Sequence, residues 1–171
     1  MNIVFGILFV LILPVAVAAV IGAPPVWTPL RAVRAMIKNT GMKPGDVAYD
    51  LGAGIGRFIV LGKKEFGLDI KGVEYAFVLC WIGKLNLLLQ SISPKRLIRR
   101  NFYTMDFGNA DIFFCFLMPR ALARLKGKFE REAKLGARIV CYAFEIPGWK
   151  PSCVVKEKGI ASIRVYEIGG I

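Results

Sequence analysis

Hydrophobic and polar positions divide the chain into a leader and a body. From Ile3 to Ile21, 19 residues run without a polar side chain, interrupted only by Gly6 and Pro14. As a helix this run spans about 28 Å, close to the thickness of a bilayer's hydrocarbon core. The pattern predicts a transmembrane anchor over residues 1–22, followed by one domain over residues 23–171. In the body the pattern changes to short apolar runs punctuated by Gly and Pro. Ala23 to Pro29 reads as a Pro-rich elbow, with Thr28 as the N-cap of a helix whose first residue is Pro29. Leu30, Val33, Met36 and Ile37 follow at helical spacing, and Gly41 ends that helix.

Strand and helix then alternate. Strands are expected over Asp46–Leu51, Ile70–Tyr75, Arg96–Arg100, Ala110–Phe116 and Ala137–Phe144. Helices are expected over Arg57–Phe66, Ala76–Gln90 and Pro119–Leu135. Cys153–Glu157 and Ser162–Ile168 close the chain as an antiparallel pair around Lys158-Gly159. The alternation predicts an α/β fold, with a parallel sheet covered on both faces and an antiparallel edge.

Charge sharpens the division. Residues 1–28 carry none, so all 24 Lys/Arg, all 12 Asp/Glu and the net charge of +12 belong to the remainder. No cation precedes the apolar run, whereas a cleaved signal peptide carries a positive n-region. Ala16, Ala18, Ala19 and Ala23 are nevertheless small enough for a cleavage site, so cleavage is the competing reading. Arg31, Arg34, Lys38 and Lys43 follow the run directly. The positive-inside rule then makes this a single-pass membrane protein with its body in the cytoplasm. Two basic patches, Lys95/Arg96/Arg99/Arg100 and Arg120/Arg124/Lys126/Lys128/Arg131/Lys134, are expected to face anionic headgroups. Nucleic-acid binding is the weaker explanation, because no aromatic-rich RNA motif accompanies them.

Composition excludes several chemistries. The chain has no His, which removes His-based triads and His-ligated zinc. Cys80, Cys115, Cys141 and Cys153 form no CxxC pair, and they read as small hydrophobes in a reducing compartment. No metal site is expected.

The chemistry lies at Asp50-Leu51-Gly52-Ala53-Gly54-Ile55-Gly56-Arg57. A carboxylate ends a strand, glycines stand at alternate positions, and a helix begins. Glycines there permit a tight turn and close approach of backbone to ligand. An acidic residue beside the turn disfavours a phosphate and suits a cationic ligand. Glu74, 24 residues on, ends the second strand, where a carboxylate accepts both hydroxyls of a ribose.

These segments resemble the first two motifs of the class I, seven-strand S-adenosylmethionine methyltransferases. The body is similar to the small protein-lysine methyltransferases of archaea and mitochondria, including those with a membrane-embedded leader. Further matches are Pro24-Pro25-Val26-Trp27-Thr28-Pro29 before the first helix, Ala110-Asp111-Ile112-Phe113-Phe114 as fourth strand, Gly136-Ala137-Arg138-Ile139-Val140 as fifth, and the turn Pro147-Gly148-Trp149. The resemblance spans roughly residues 24–168. It implies a Rossmann-like seven-strand sheet and S-adenosylmethionine as cofactor. The cofactor-binding residues it implies are Asp50, Gly52, Gly54, Gly56, Glu74, Tyr75, Asn101, Phe102 and Thr28, the last reaching the methionine carboxylate. Asn101 stands where many members have an adenine-binding Asp, and its amide oxygen makes the same contact; Asp106 is the fallback.

The chain departs from the group at Ile55, where Asp is frequent, and at Pro25 and Trp27. It lacks the Asn/Asp-Pro-Pro-Tyr motif of base methyltransferases, having Phe116-Leu117-Met118-Pro119 instead. A lysine acceptor needs an apolar mouth to lower its pKa, and Trp27, Phe116, Met118 and Trp149 are the residues available to build it. The sequence names no general base. The leading function is a membrane-anchored protein-lysine methyltransferase, expected as a monomer, with a membrane protein as substrate. The alternatives are a methyltransferase for lipids or apolar small molecules, and a non-catalytic binding domain.

Overall fold

The structure is a computed structural model that describes residues 27–170. The expected anchor over residues 1–22 lies outside the described residues. Among the described residues, no helix is long and apolar enough to cross a membrane.

The elements in chain order are α1 (Leu30–Lys38), β1 (Ala48–Leu51), α2 (Arg57–Phe66), β2 (Ile70–Glu74), α3 (Phe77–Leu89), β3 (Leu97–Arg99), β4 (Ile112–Cys115), α4 (Pro119–Glu132), β5 (Arg138–Tyr142), β6 (Cys153–Val155) and β7 (Ile163–Glu167). The seven strands form one sheet in the order β3-β2-β1-β4-β5-β7-β6. The first five are parallel, and β7 runs antiparallel to both β5 and β6. The expected α/β sheet is therefore present, and its antiparallel end has β7 inserted between β5 and β6.

Period-two alternation in β4 sends Ile112 and Phe114 to one face and Phe113 and Cys115 to the other. On the first face they meet Val33, Met36 and Phe58 from α1 and α2. On the second, Phe113 packs against Phe107 and Phe129, with ring centroids 4.6 and 5.1 Å away. Three fully buried phenylalanines here contribute about 1.5–3 kcal/mol each.

Several boundaries differ from the sequence expectation. Thr28 is not the N-cap: Pro29 holds that position, helix α1 starts at Leu30, and no side chain caps it. The Thr28 carbonyl instead accepts from Arg57 Nη1 at 2.8 Å, and the Arg57 guanidinium lies 4.8 Å over the Trp27 ring. Strand β1 starts two residues late because the Asp46 carboxylate accepts the Lys43 N–H and closes a turn. Helix α4 stops at Glu132, before Lys134 reaches Asp111 at 2.6 Å and the Gly136 N–H bonds to the Ile168 carbonyl.

Arg120, Arg124, Arg131 and Lys134 of the second basic patch are exposed, while part of the patch also makes contacts within the fold. Lys128 is buried over Phe107 and paired with Glu132, Arg124 covers Tyr103, and Lys126 donates to the Pro147 carbonyl. Cys80, Cys115 and Cys141 are buried as expected, and Cys153 is exposed.

Candidate active site

Strand order reverses between β1 and β4, and in such sheets the crevice above the strands' carboxyl ends at this point is where ligands bind. The glycine turn stands there. Gly52, Gly54 and Gly56 all have φ in the left-handed region, at +83°, +53° and +83°. Gly56 is the N-cap residue of α2 in that conformation, which an L side chain adopts only with strain. The amides of Gly52 and Ala53 donate to the Val73 carbonyl at 2.9 and 3.1 Å, so the turn is tied to the end of β2.

Glu74 is the second tie. One carboxylate oxygen accepts the Gly54 N–H at 2.8 Å, and the other accepts the Ala76 N–H at 2.7 Å. The carboxylate thus joins the glycine turn to the start of α3 and keeps acceptor capacity for a ligand hydroxyl. Burial raises its pKa, opposed by backbone hydrogen bonds from Ala76, Gly54 and Tyr75.

Asp50 is 6% exposed and has no hydrogen-bond or ion-pair partner among the described residues. Desolvation, followed by the negative charge of Glu74, pushes its pKa up to about 8. A buried carboxylate without a partner is costly. It is appropriate to a cationic ligand that supplies the missing charge. S-adenosylmethionine, with its ribose diol, sulfonium and ammonium, matches this pair of carboxylates. Glu74 and the glycine turn would hold the nucleoside, and Asp50 the cationic end.

The structure places the other candidates less uniformly. Thr28 sits beside the turn through the Arg57 contact. Tyr75 is exposed directly after Glu74. The Asn101 oxygen already accepts the Tyr103 N–H at 3.0 Å, capping a short 3-10 turn over Phe102–Thr104 and leaving one lone pair and the amide N–H groups. The Phe102 side chain is buried in the core, so only its main chain can face a ligand. The fallback, Asp106, is engaged in its own loop with the Gly108 N–H. Trp149 does not belong to the acceptor mouth. Its ring is in the core 6.0 Å from Tyr166, and its indole N–H donates to Glu130.

Two features were not legible in the sequence. One is Gly83 on α3. A Cβ there would stand 2.5 Å from Leu97 Cδ2 and 2.9 Å from the Gly54 carbonyl oxygen. Asn86, one helical turn on, donates to the Ile55 carbonyl at 3.0 Å, so α3 buttresses the glycine turn directly. Gly83→Ala is expected to cost about 1–3 kcal/mol of stability and to weaken donor binding as the turn is displaced, read by thermal unfolding and calorimetry. The other is a cavity of about 410 Å³ after β4 and β5, lined by Pro119, Ala143, Phe144, Glu145, Pro147 and Arg164. Behind its lining, Phe116 packs against Tyr142 and against the lining residue Phe144, with ring centroids 5.0 and 6.4 Å away. The Glu145 side chain is 71% exposed, with Arg164 Nε 3.7 Å away. Ala143 holds φ at +65°, an unusual backbone for a non-glycine residue, and its carbonyl is gripped by Arg164 at 3.1 Å.

Comparison with known proteins agrees with this geometry. Residues 50–153 match the ANTKMT methyltransferase domain family. The chain is 34% identical to a protein-lysine N-methyltransferase of Saccharolobus islandicus over 84% of its own length and 91% of the relative's. It is 30% identical to the adenine nucleotide translocase lysine N-methyltransferase of Mus musculus, covering 86% of the chain and 64% of that protein. It is 25% identical to a human lysine N-methyltransferase that acts on ATP synthase, spanning 69% of the chain and half of that protein. Among solved structures, an RNA methyltransferase from Salinibacter ruber bound to S-adenosyl-L-homocysteine superposes with a TM-score of 0.79 at 22% identity, covering 85% of this chain and 95% of that one. A geranyl diphosphate C-methyltransferase from Streptomyces coelicolor superposes with a TM-score of 0.53 at 20% identity, over 65% and 44%. Their acceptors differ, so these likenesses speak to the fold alone. The non-catalytic alternative is set aside: with its glycine turn and two carboxyl groups at the sheet's switch point, the chain belongs to the ANTKMT methyltransferase domain family and is an S-adenosylmethionine-dependent methyltransferase.

Proposed function

We propose that this chain is a membrane-anchored protein-lysine N-methyltransferase whose acceptor is a membrane protein. The observation that carries the reading is the 34% identity to an archaeal protein-lysine N-methyltransferase along 91% of that protein. Relatives of lower coverage act on lysines of membrane proteins, which supports a bilayer-embedded acceptor. The apolar run Ile3–Ile21 supplies the anchor, and the cations that follow it argue for a cytoplasmic body.

The cavity after β4 and β5 has the features a lysine requires. The Phe144 ring, backed by Phe116, lines a path for its aliphatic stem, and the exposed Glu145 carboxylate attracts the ammonium on approach. The attacking nitrogen must be neutral, and desolvation between these rings lowers a lysine's pKa. Bound S-adenosylmethionine supplies an already activated methyl group. The chain's task is therefore alignment and exclusion of water rather than activation of an electrophile.

The test is one labelling experiment on membranes from cells making the full chain, using a labelled methyl donor. Label is expected in protein, as methyl-lysine by mass, with the rate climbing from about pH 7 to 9 as neutral lysine grows. An acceptor with Lys→Arg at the modified position is expected to receive none, since guanidinium stays protonated. External protease on intact cells is expected to leave the body whole. Label found only in chloroform-extractable lipid would move the acceptor to a lipid, and a mature N-terminus near Ala23 would replace the anchor with a cleaved signal.

A further inference from the structure

Helix α3 is apolar on the wrong side as well as the right one. It buries Cys80, Gly83 and Leu87 against Ala53, Ile59, Ile92 and Leu97. At 100° per residue, Phe77, Trp81, Leu85 and Leu88 form a stripe on the opposite side, flanked by Ile82 and Leu89. All six are exposed, Trp81 by 63% and Leu89 by 76%. A helix that is apolar all round belongs between two apolar environments, and the described residues provide only one.

The charge around this stripe is one-sided. Between Glu74 and Asp106 the chain has no acidic residue and five cations: Lys84, Lys95, Arg96, Arg99 and Arg100. Among the described residues, Arg96 alone of these five has an ion-pair partner, Asp69. Arg99 lies 5.1 Å over the Phe77 ring, at the rim of the stripe. A second copy of the chain placed on this face would set these cations against their own kind. Anionic lipid headgroups complement them, while the acyl region complements the stripe.

We propose that α3 lies in the membrane interface, its Phe77–Leu89 stripe in the acyl boundary and the neighbouring cations among anionic headgroups. This is a monotopic contact made by the folded domain itself, in addition to the apolar leader. It does not depend on which acceptor the enzyme methylates. Because Gly83 and Asn86 brace the glycine turn from the other side of the same helix, the contact also sets the donor site at a fixed height above the bilayer.

The full chain carrying Leu88→Cys in a Cys153→Ser background gives one accessible thiol, since the remaining three cysteines are buried. It is labelled with an environment-sensitive fluorophore and reconstituted into phosphatidylcholine vesicles with or without phosphatidylglycerol. A control carries the label through Arg131→Cys on α4. Expected is a blue shift at position 88, quenching by lipids spin-labelled in the acyl chain, dependence on phosphatidylglycerol, loss at high salt, and no quenching at position 131. Vesicle-bound protein with position 88 unquenched would overturn the proposal, leaving the leader as the sole contact. A blue shift already present before vesicles are added would overturn it in favour of another protein segment covering the stripe. Equal quenching at both positions would overturn it in favour of unoriented adsorption. Affinity of the same labelled protein for S-adenosylhomocysteine, expected unchanged, reports the donor site separately, so failure of docking is distinguishable from failure of the methyltransferase reading.

Discussion

Glu74→Ala is expected to lower affinity for S-adenosylhomocysteine by about 1.5–3 kcal/mol, roughly 10- to 150-fold. Two losses combine. The ligand's ribose hydroxyls lose a charged acceptor, and the amides of Gly54 and Ala76 lose the carboxylate that now holds them at 2.8 and 2.7 Å. The second loss loosens the glycine turn from the start of α3, so the site is less ordered before ligand arrives. Glu74→Gln keeps one acceptor oxygen and is expected to lie between alanine and the native residue. Calorimetric titration gives the affinity, and circular dichroism establishes that the variant is folded. A folded Glu74→Ala protein that binds within twofold of the native affinity would contradict the assignment of the donor site.

Asp50 is expected to make donor binding depend on pH. Its pKa of about 8 in the folded, ligand-free protein means that the carboxyl holds a proton at neutral pH. A cationic ligand favours the ionised form, so binding expels that proton. Affinity for S-adenosylmethionine should therefore rise by up to tenfold per pH unit between about pH 5.5 and 8 and then level off. Asp50→Asn should flatten this profile and abolish turnover. Stability moves the opposite way. The folded pKa lies above the unfolded value of 3.8, so the native state keeps a proton that the unfolded chain releases. The stability this contributes is full below about pH 4, falls with rising pH, and is gone above about pH 8. Ligand-free Asp50→Asn is thus expected to melt higher than the native protein at pH 8, with the difference shrinking toward pH 4. Parallel melting curves across this range, together with a native binding profile that is flat in pH, would show that Asp50 does not face the ligand.

Local chemistry was readable wherever neighbouring residues decide it. Helix α2 begins at Arg57 and ends at Phe66 as expected, because Gly56 and Gly67 both adopt left-handed backbone at its ends. The glycine turn, the carboxylate before it and Glu74 were legible as a binding motif because their spacing follows from one strand, one turn and the next strand. Thr28 as a cap was not, since Pro29 takes that position while Arg57, 29 residues away, claims the Thr28 carbonyl. Trp149 looked available for the acceptor mouth because its turn follows β5. Only packing shows that Glu130 on α4 and Tyr166 on β7 draw it into the core.

The sequence by itself determined the alternation of strand and helix, the glycine turn between two carboxylates, the absence of histidine chemistry and the apolar leader ahead of a basic body. Each is a property of residue type and short spacing. The tertiary structure alone decided that β7 enters the sheet between β5 and β6, that Gly83 lets α3 press on the Gly54 carbonyl, that Phe144, Glu145 and Arg164 share one cavity, and that half of an apolar helix is left uncovered by the described residues. These depend on which distant surfaces meet. Hydrophobic periodicity marks α3 as apolar on every side, but it cannot say which side the sheet will cover.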